Sequence, residues 1–358
     1  MIINKVTLIN FRNYRDLSLN LSDKINIFIG KNGQGKTNLL EAIYFLATTR
    51  SFRSVKDEVM ILDSEKIAKI NLEVNNHKTL NLSSIIYPSG KTFFIGNNPI
   101  TKTSEFIGEL SVVLFTPQDL QLVFGSPKTR RYFLDIELGK ISKTYLIDLK
   151  NYYKLLKERN EYLKEKTIDF VYLSSITEKL IFYGMRISQK RFELINYLNE
   201  KINQLYQNFS VKETFLEIKY LTKMSLSKNE NQLEYQKQLQ KDLLLKQTTM
   251  GIHRDDLQIF INNNLVNNYA SQGQLRLIIL VIKLALIDYI YQETKTYPVL
   301  LLDDVFSELD SDNQNRLLKN INGKVQTLIT TTSFDANNIE IPLTYYTVEN
   351  NGIKEAVR

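Results

Sequence analysis

Along the chain, apolar and polar positions change rhythm twice. Near the start the apolar runs are short and broken by polar residues. Lys5-Val6-Thr7-Leu8-Ile9, Leu17-Ser18-Leu19-Asn20-Leu21 and Ile25-Asn26-Ile27-Phe28-Ile29 are rich in β-branched or aromatic residues and predict strands. From Thr37 to Leu46 the apolar residues fall at helical spacing, and strand-like runs follow at 67–74 and 92–95. The middle keeps a different period. Tyr145, Leu149, Tyr152, Leu156 and Leu163 follow a 4,3,4 rhythm once Arg159 takes one seam position, and Ile176, Leu180, Tyr183, Ile187, Leu194, Leu198, Ile202 and Leu205 continue it. This predicts two helices folded back through 167–175, as a short coiled-coil-like arm or as a compact helical bundle. A strand-like run at 215–220 and a polar helix over 232–246 close the middle. The last part alternates again: helix 274–291, strand 299–302, helix 313–320, strand 325–330.

Proline and glycine mark the same division. Four of the six prolines lie at 88–127 and the others at 298 and 342, while between Gly139 and Gly251 the only residue of either type is Gly184. The expected organisation is an N-terminal α/β lobe over 1–125, an inserted mostly helical segment over 126–247, and a return to the α/β lobe over 248–358.

Composition narrows the chemistry. The chain has 358 residues, no cysteine, and two histidines far apart, His77 and His253. Disulfides, thiol nucleophiles and cysteine-ligated metals are excluded, and a histidine-rich metal site is not expected. The excess of 46 Lys and Arg over 39 Asp and Glu, a net charge of +7, suits an anionic partner without naming one. No signal-peptide pattern opens the chain, and the greasiest stretch, 275–291, carries Arg276, Lys283 and Asp288. A buried helix, no membrane association and a cytoplasmic address are expected.

The segment Gly30-Lys31-Asn32-Gly33-Gln34-Gly35-Lys36-Thr37 satisfies G-x-x-x-x-G-K-[ST] between an apolar strand and a helix. Glycines let the backbone turn several N–H groups inward, the helix start adds positive potential, Lys36 reaches the β/γ-phosphates, and the Thr37 hydroxyl can hold Mg²⁺. Much later, Val299-Leu300-Leu301-Leu302-Asp303-Asp304 reads as a buried strand ending in two acids. Beside the phosphate loop, Asp303 would sit near Mg²⁺ and Asp304 near the γ-phosphate, where it could orient water. Ala270-Ser271-Gln272-Gly273-Gln274 precedes the apolar helix, and by spacing alone Ser271 with Gly273 favours an ordinary helix N-cap over a phosphate-binding cap. No N-K-x-D guanine motif is present.

The order of these motifs resembles the ATP-binding-cassette (ABC) heads of chromosome-maintenance and repair ATPases and, within them, the bacterial RecF family. The resemblance rests on the motifs above and on the segments 8–14, 33–42, 115–120, 125–135, 253–257 and 303–310, and covers nearly the whole chain. It implies an α/β ABC-type head built from both chain ends, with an inserted helical arm, that dimerises on ATP. Ser271 and Gly273 of one subunit would close over the nucleotide of the other. Lys36 and Asp304 would be catalytic, and Thr37, Asp303 and Gln118 would serve the metal. The implied role is binding of gapped or single-strand/double-strand junction DNA and, with RecR and RecO, loading of RecA. Asp304 replaces the longer glutamate of fast transporters, which implies slow, switch-like hydrolysis, and Thr331-Thr332-Ser333 lacks the histidine that many transporter heads carry there.

Arg50, Arg53, Lys56, Lys128, Arg130, Arg131, Lys154, Lys157, Lys190 and Arg191 are candidates for a phosphate-lined groove or for solvated helix faces. Two other functions stay open: a small-molecule kinase or transferase with a phosphate loop, and a structural clamp in which ATP is bound but not hydrolysed.

Overall fold

The computed structural model describes residues 1–76, 78–209, 214–334 and 341–356, so His77 lies outside the described residues. It divides into two compact units. The first comprises 1–119, 204–213 and 271–358, and the second 120–203 and 214–270.

Among the described residues the first unit holds two six-stranded sheets. One is antiparallel, in the order Tyr14–Asn20, Ile2–Phe11, Ala68–Asn76, Lys78–Tyr87, Gly90–Ile95, Asn98–Ile100. Its strands alternate buried and exposed positions, as a sheet with one face on the core and one in water must. The other sheet runs Gly352–Ala356, Leu343–Glu349, Ile25–Ile29, Thr327–Thr331, Val299–Asp303, Val112–Phe115. All its pairings are parallel except that of the final hairpin. Its inner strands do not alternate buried and exposed positions because both faces are covered: every residue of Val299–Asp303 and Thr327–Thr331 is buried. The helix Lys36–Thr48 supplies Leu39, Leu40, Ile43, Phe45 and Leu46 to a core that it shares with both sheets. A side chain also joins the sheets, since the Gln326 amide accepts from Ile3 N at 2.7 Å and donates to Ile3 O at 2.8 Å.

The second unit contains the helices Pro127–Ile141, Lys143–Tyr162 and Lys228–Leu245, and Phe170–Gln207 as far as residue 203. Lys143–Tyr162 and Phe170–Gln207 run antiparallel, cross-linked by Arg186–Asp148 (2.8 Å), Arg159–Thr177 (2.9 Å) and Tyr172–Glu158 (2.9 Å). The seam residues Tyr145, Tyr152, Leu156, Leu180, Ile187 and Leu194 are buried. Arg159 holds a seam position at 1% exposure, paired with Asp242 at 2.7 Å and bonded to Thr248 at 2.7 Å. A charge so placed persists because Asp242 opposes it and Thr177 and Thr248 accept from it.

This unit extends beyond the expected insertion. Strand Asp256–Ile261 pairs antiparallel with Leu216–Leu221, which draws 248–270 into the unit instead of the α/β lobe. The outer edge of Leu216–Leu221 is closed by two amides one helical turn apart. Asn199 accepts from Ile218 N and donates to Ile218 O, and Asn203 does the same for Leu216, at 2.7–3.0 Å.

The candidate phosphate groove is also corrected here. Arg191 is fully buried, held by Asp135 at 2.7 Å, Asp255 at 3.3 Å and Tyr145 at 3.1 Å. Arg130 forms a two-pronged pair with Asp256, and Arg131 donates to Asp255 O. Arg191 is an internal fastener and cannot line a groove, while Arg130 and Arg131 are half-buried and already engaged. Arg50, Lys128 and Lys154 are exposed. Among the described residues no helix is long and apolar enough to cross a membrane.

Candidate functional site

The strand Ile25–Ile29 ends where the backbone must turn sharply into the helix Lys36–Thr48. Glycine is required twice in that turn. Gly35 has φ +106° and a Cβ there would lie 2.6 Å from Asn13 Nδ2, while a Cβ on Gly30 would meet Val348 O at 2.3 Å. The loop is braced from outside: Asn350 N donates to Gln34 Oε1 at 2.8 Å, and Asn13 links Asn351 (2.5 Å) to Asn38 (2.7 Å).

A cleft of about 200 Å³ opens over the loop, lined by Asn32, Gly33, Gly35, Lys36, Thr37, Asn38, Arg53, Asp303, Asp304 and Thr330. Lys36 Nζ donates to Gly30 O at 2.6 Å and Lys31 O at 3.0 Å. Burial lowers its pKa from the ordinary lysine value, opposed by Asp304 and Asp303. Asp303 Oδ1 accepts from Thr37 and from Thr330, each at 2.8 Å. Burial raises the Asp303 pKa, and the two hydroxyl bonds oppose the rise. Asp304 sits on a left-handed turn, φ +54°, and its Oδ1 is buried with no hydrogen-bond partner.

That unpartnered oxygen tests whether a divalent cation fits. Two carboxylates and a hydroxyl form an all-oxygen donor set suited to Mg²⁺, which typically takes one or two carboxylates and completes its shell with phosphate oxygens and water. Among the described residues no group of three or more His, Asp or Glu could hold a metal by itself. The residues therefore fit Mg²⁺ carried by a phosphorylated ligand.

The cleft thus gathers Asn32, Gly33, Gly35, Lys36, Thr37, Asp303 and Asp304 from the expected residues. Gly30, Lys31 and Gln34 shape or brace the loop. Gln118, Ser271 and Gly273 do not line the cleft within this chain. Gln118 is exposed on the turn Pro117–Leu120, while its neighbour Asp119 pairs with Lys283 at 3.0 Å. Ser271 and Gly273 are exposed at the start of Gln272–Thr294. There Ser271 forms a capping box with Gln274, and a Cβ on Gly273 would meet nothing within 4 Å. Thr330 and Asn38 were not foreseen from sequence. The only hint of Thr330 was the threonine-rich run after the predicted strand.

The model of the RecF/RecN/SMC N terminal domain family matches residues 2–352. The chain is 43% identical over 349 residues to the DNA replication and repair protein RecF of Enterococcus faecalis, covering 94% of this chain and 93% of that one. The chain belongs to the RecF family. The RecF of Streptococcus gordonii is 41% identical over 362 residues, covering 99% and 100% of the two chains. A solved structure of the recombination mediator protein RecF with ATP, in the RecFOR pathway, superposes with a TM-score of 0.89 at 30% identity, covering 99% of this chain and 98% of that one. An Smc head bound to the C-winged helix domain of ScpA superposes at 0.58 and 16% identity, covering 99% and 98%, and shares the fold. The fold of this RecF-family chain is therefore the α/β ABC-type head with a mostly helical insertion.

Proposed function

We propose that this chain is an ATP-gated DNA-repair protein that binds ATP with Mg²⁺ in the cleft above the phosphate loop. The observation that carries the reading is the convergence of Lys36, Thr37, Asp303 and Asp304, from segments 266 residues apart, on one cleft with an unpartnered carboxylate oxygen. The relative solved with ATP supports the choice of nucleotide.

In this reading the inward N–H groups of 30–36 and the Lys36 ammonium bind the phosphates, and Lys36 exchanges its carbonyl partners for them. Thr37 and Asp303 hold Mg²⁺, which supplies charge neutralisation on the transferring phosphoryl group. Asp304 orients water, and hydrolysis is slow. Gln118, which does not line the cleft in the isolated chain, serves as a metal-sensing residue that reaches it on a change of conformation.

Ser271 and Gly273, exposed and open to a neighbour, close over the nucleotide of a second copy, so that ATP joins the two heads and hydrolysis parts them. The dimer binds gapped or single-strand/double-strand junction DNA without sequence preference and, with RecR and RecO, promotes loading of RecA.

Sedimentation of the full chain with and without Mg²⁺-ATP and a gapped duplex, beside Ser271→Arg, tests this. An ATP-dependent dimer that the variant loses, with ATP affinity kept, is expected. A monomer under all conditions that still binds ATP overturns the gating. ATP consumption that needs a small-molecule acceptor and ignores DNA would instead establish a kinase.

A further inference from the structure

We infer that Thr330 is a positioning residue that holds both acids of the cleft in working geometry, an inference that rests on the nucleotide-site reading above. Thr330 lies near the end of Thr327–Thr331, the strand between Ile25–Ile29 and Val299–Asp303, and is fully buried. It therefore stands beside the phosphate-loop strand on one side and the acidic strand on the other.

Its hydroxyl does two things at once. It donates to Asp303 Oδ1 at 2.8 Å and accepts from Asp304 N at 3.1 Å. The same Asp304 amide also approaches Thr330 O at 3.1 Å. A residue other than glycine in the left-handed region is strained and persists only where its surroundings hold it. At Asp304, φ +54°, the Thr330 contacts on the amide are that hold, and they keep the side chain at the cleft.

Thr330 also stands apart from Thr37, the other hydroxyl on Asp303. Thr37 is the residue that would ligate the cation, so its hydroxyl has a second task. Thr330 is left to orient the Asp303 carboxylate. One β-branched side chain thus sets the carboxylate that serves the metal and the turn that presents the acid facing water.

The test compares the full-length wild type with Thr330→Val, which keeps the shape and strand preference but removes the hydroxyl, and Thr330→Ser, which restores it. Three quantities are read: affinity for a fluorescent ATP analogue without Mg²⁺, the Mg²⁺ concentration that half-saturates the shift in melting temperature with nucleotide, and kcat and KM for ATP. In Thr330→Val the Mg²⁺-free affinity stays within about twofold, the Mg²⁺ requirement rises about fivefold or more, and kcat falls about tenfold or more with KM little changed. Thr330→Ser recovers the wild-type Mg²⁺ requirement and most of kcat.

A Val variant with wild-type Mg²⁺ requirement and kcat overturns the inference, as does a Ser variant no better than Val. If Val does not fold, Thr330→Ala against Thr330→Ser carries the same comparison, because both lack the methyl and only one keeps the hydroxyl. A wild type that neither binds nor hydrolyses ATP overturns the nucleotide reading itself, an outcome distinct from either.

Discussion

The Thr37 hydroxyl donates to Asp303 Oδ1 at 2.8 Å across 266 positions of sequence. In the proposed function neither residue would form the metal side of the cleft alone. Asp303→Asn keeps the size of the side chain and removes its charge. It is expected to lower ATP affinity about tenfold in the presence of Mg²⁺ and to change it little in EDTA, as read by calorimetry in the two buffers.

Asp304→Asn separates binding from turnover. The phosphate loop, Thr37 and Asp303 are left in place, so ATP binding and ATP-dependent dimerisation persist while hydrolysis falls about a hundredfold or more. Sedimentation and phosphate release on the same preparation check this. Loss of the dimer together with hydrolysis would show that Asp304 serves the interface rather than the water.

His253 is expected to make the second unit acid-sensitive. Its Nδ1 lies 2.8 Å from the Tyr152 hydroxyl and its Nε2 3.0 Å from Thr248 O, and burial lowers its pKa to about 4 from the ordinary 6.5. Between those values the unfolded chain binds more protons than the folded one. The stabilisation is therefore complete above pH 6.5 and is lost as pH falls toward 4. The urea midpoint, followed by circular dichroism, should drop through that window, and His253→Gln should flatten the slope. An unchanged slope would place the acid sensitivity elsewhere.

Asn199 and Asn203 occupy the edge of Leu216–Leu221 as a further strand would, meeting the N–H and C=O of Ile218 and Leu216. Replacing either by Leu leaves two backbone groups unpaired beside an apolar side chain, at a cost of about 1–3 kcal/mol each. The freed edge can also pair with another molecule. Thermal melts with static light scattering should show a lower melting temperature for each variant and aggregation that begins earlier in the double variant.

Much of the head was legible because its signals are local. The phosphate loop needs particular residue types at fixed spacing, Val299–Asp303 is a short apolar strand ending in acids, and Gln272–Thr294 is a long helix rich in apolar residues. The antiparallel helix pair followed from its seam, Arg159 included. Other elements carry no such signal. Val112–Phe115 is four buried residues without a period, and Lys78–Tyr87 breaks its alternation where polar Ser84 takes a buried position and Ile85 a half-buried one. Leu343–Glu349 is held as a strand by Ile25–Ile29 on one side and Gly352–Ala356 on the other. The role of Thr330 depends on sheet order, and Arg191 reads as a surface charge until Asp135 and Asp255 surround it. Pairing at a distance decided Val112–Phe115, Thr330 and Arg191, and pairing at a distance leaves no periodic trace.

The central position of Ile25–Ile29, hydrogen-bonded on one side to Thr327–Thr331 and on the other to Leu343–Glu349, has a consequence for biosynthesis. The strand that leads into the phosphate loop leaves the ribosome long before either of its neighbours. Until then its edges stay open and no ATP-binding surface can form on the nascent chain. The pairings within the second unit use only residues made in between, so that unit can complete its structure first. Truncated chains from an arrested translation reaction should therefore gain protease resistance in 120–270 before any of them responds to nucleotide.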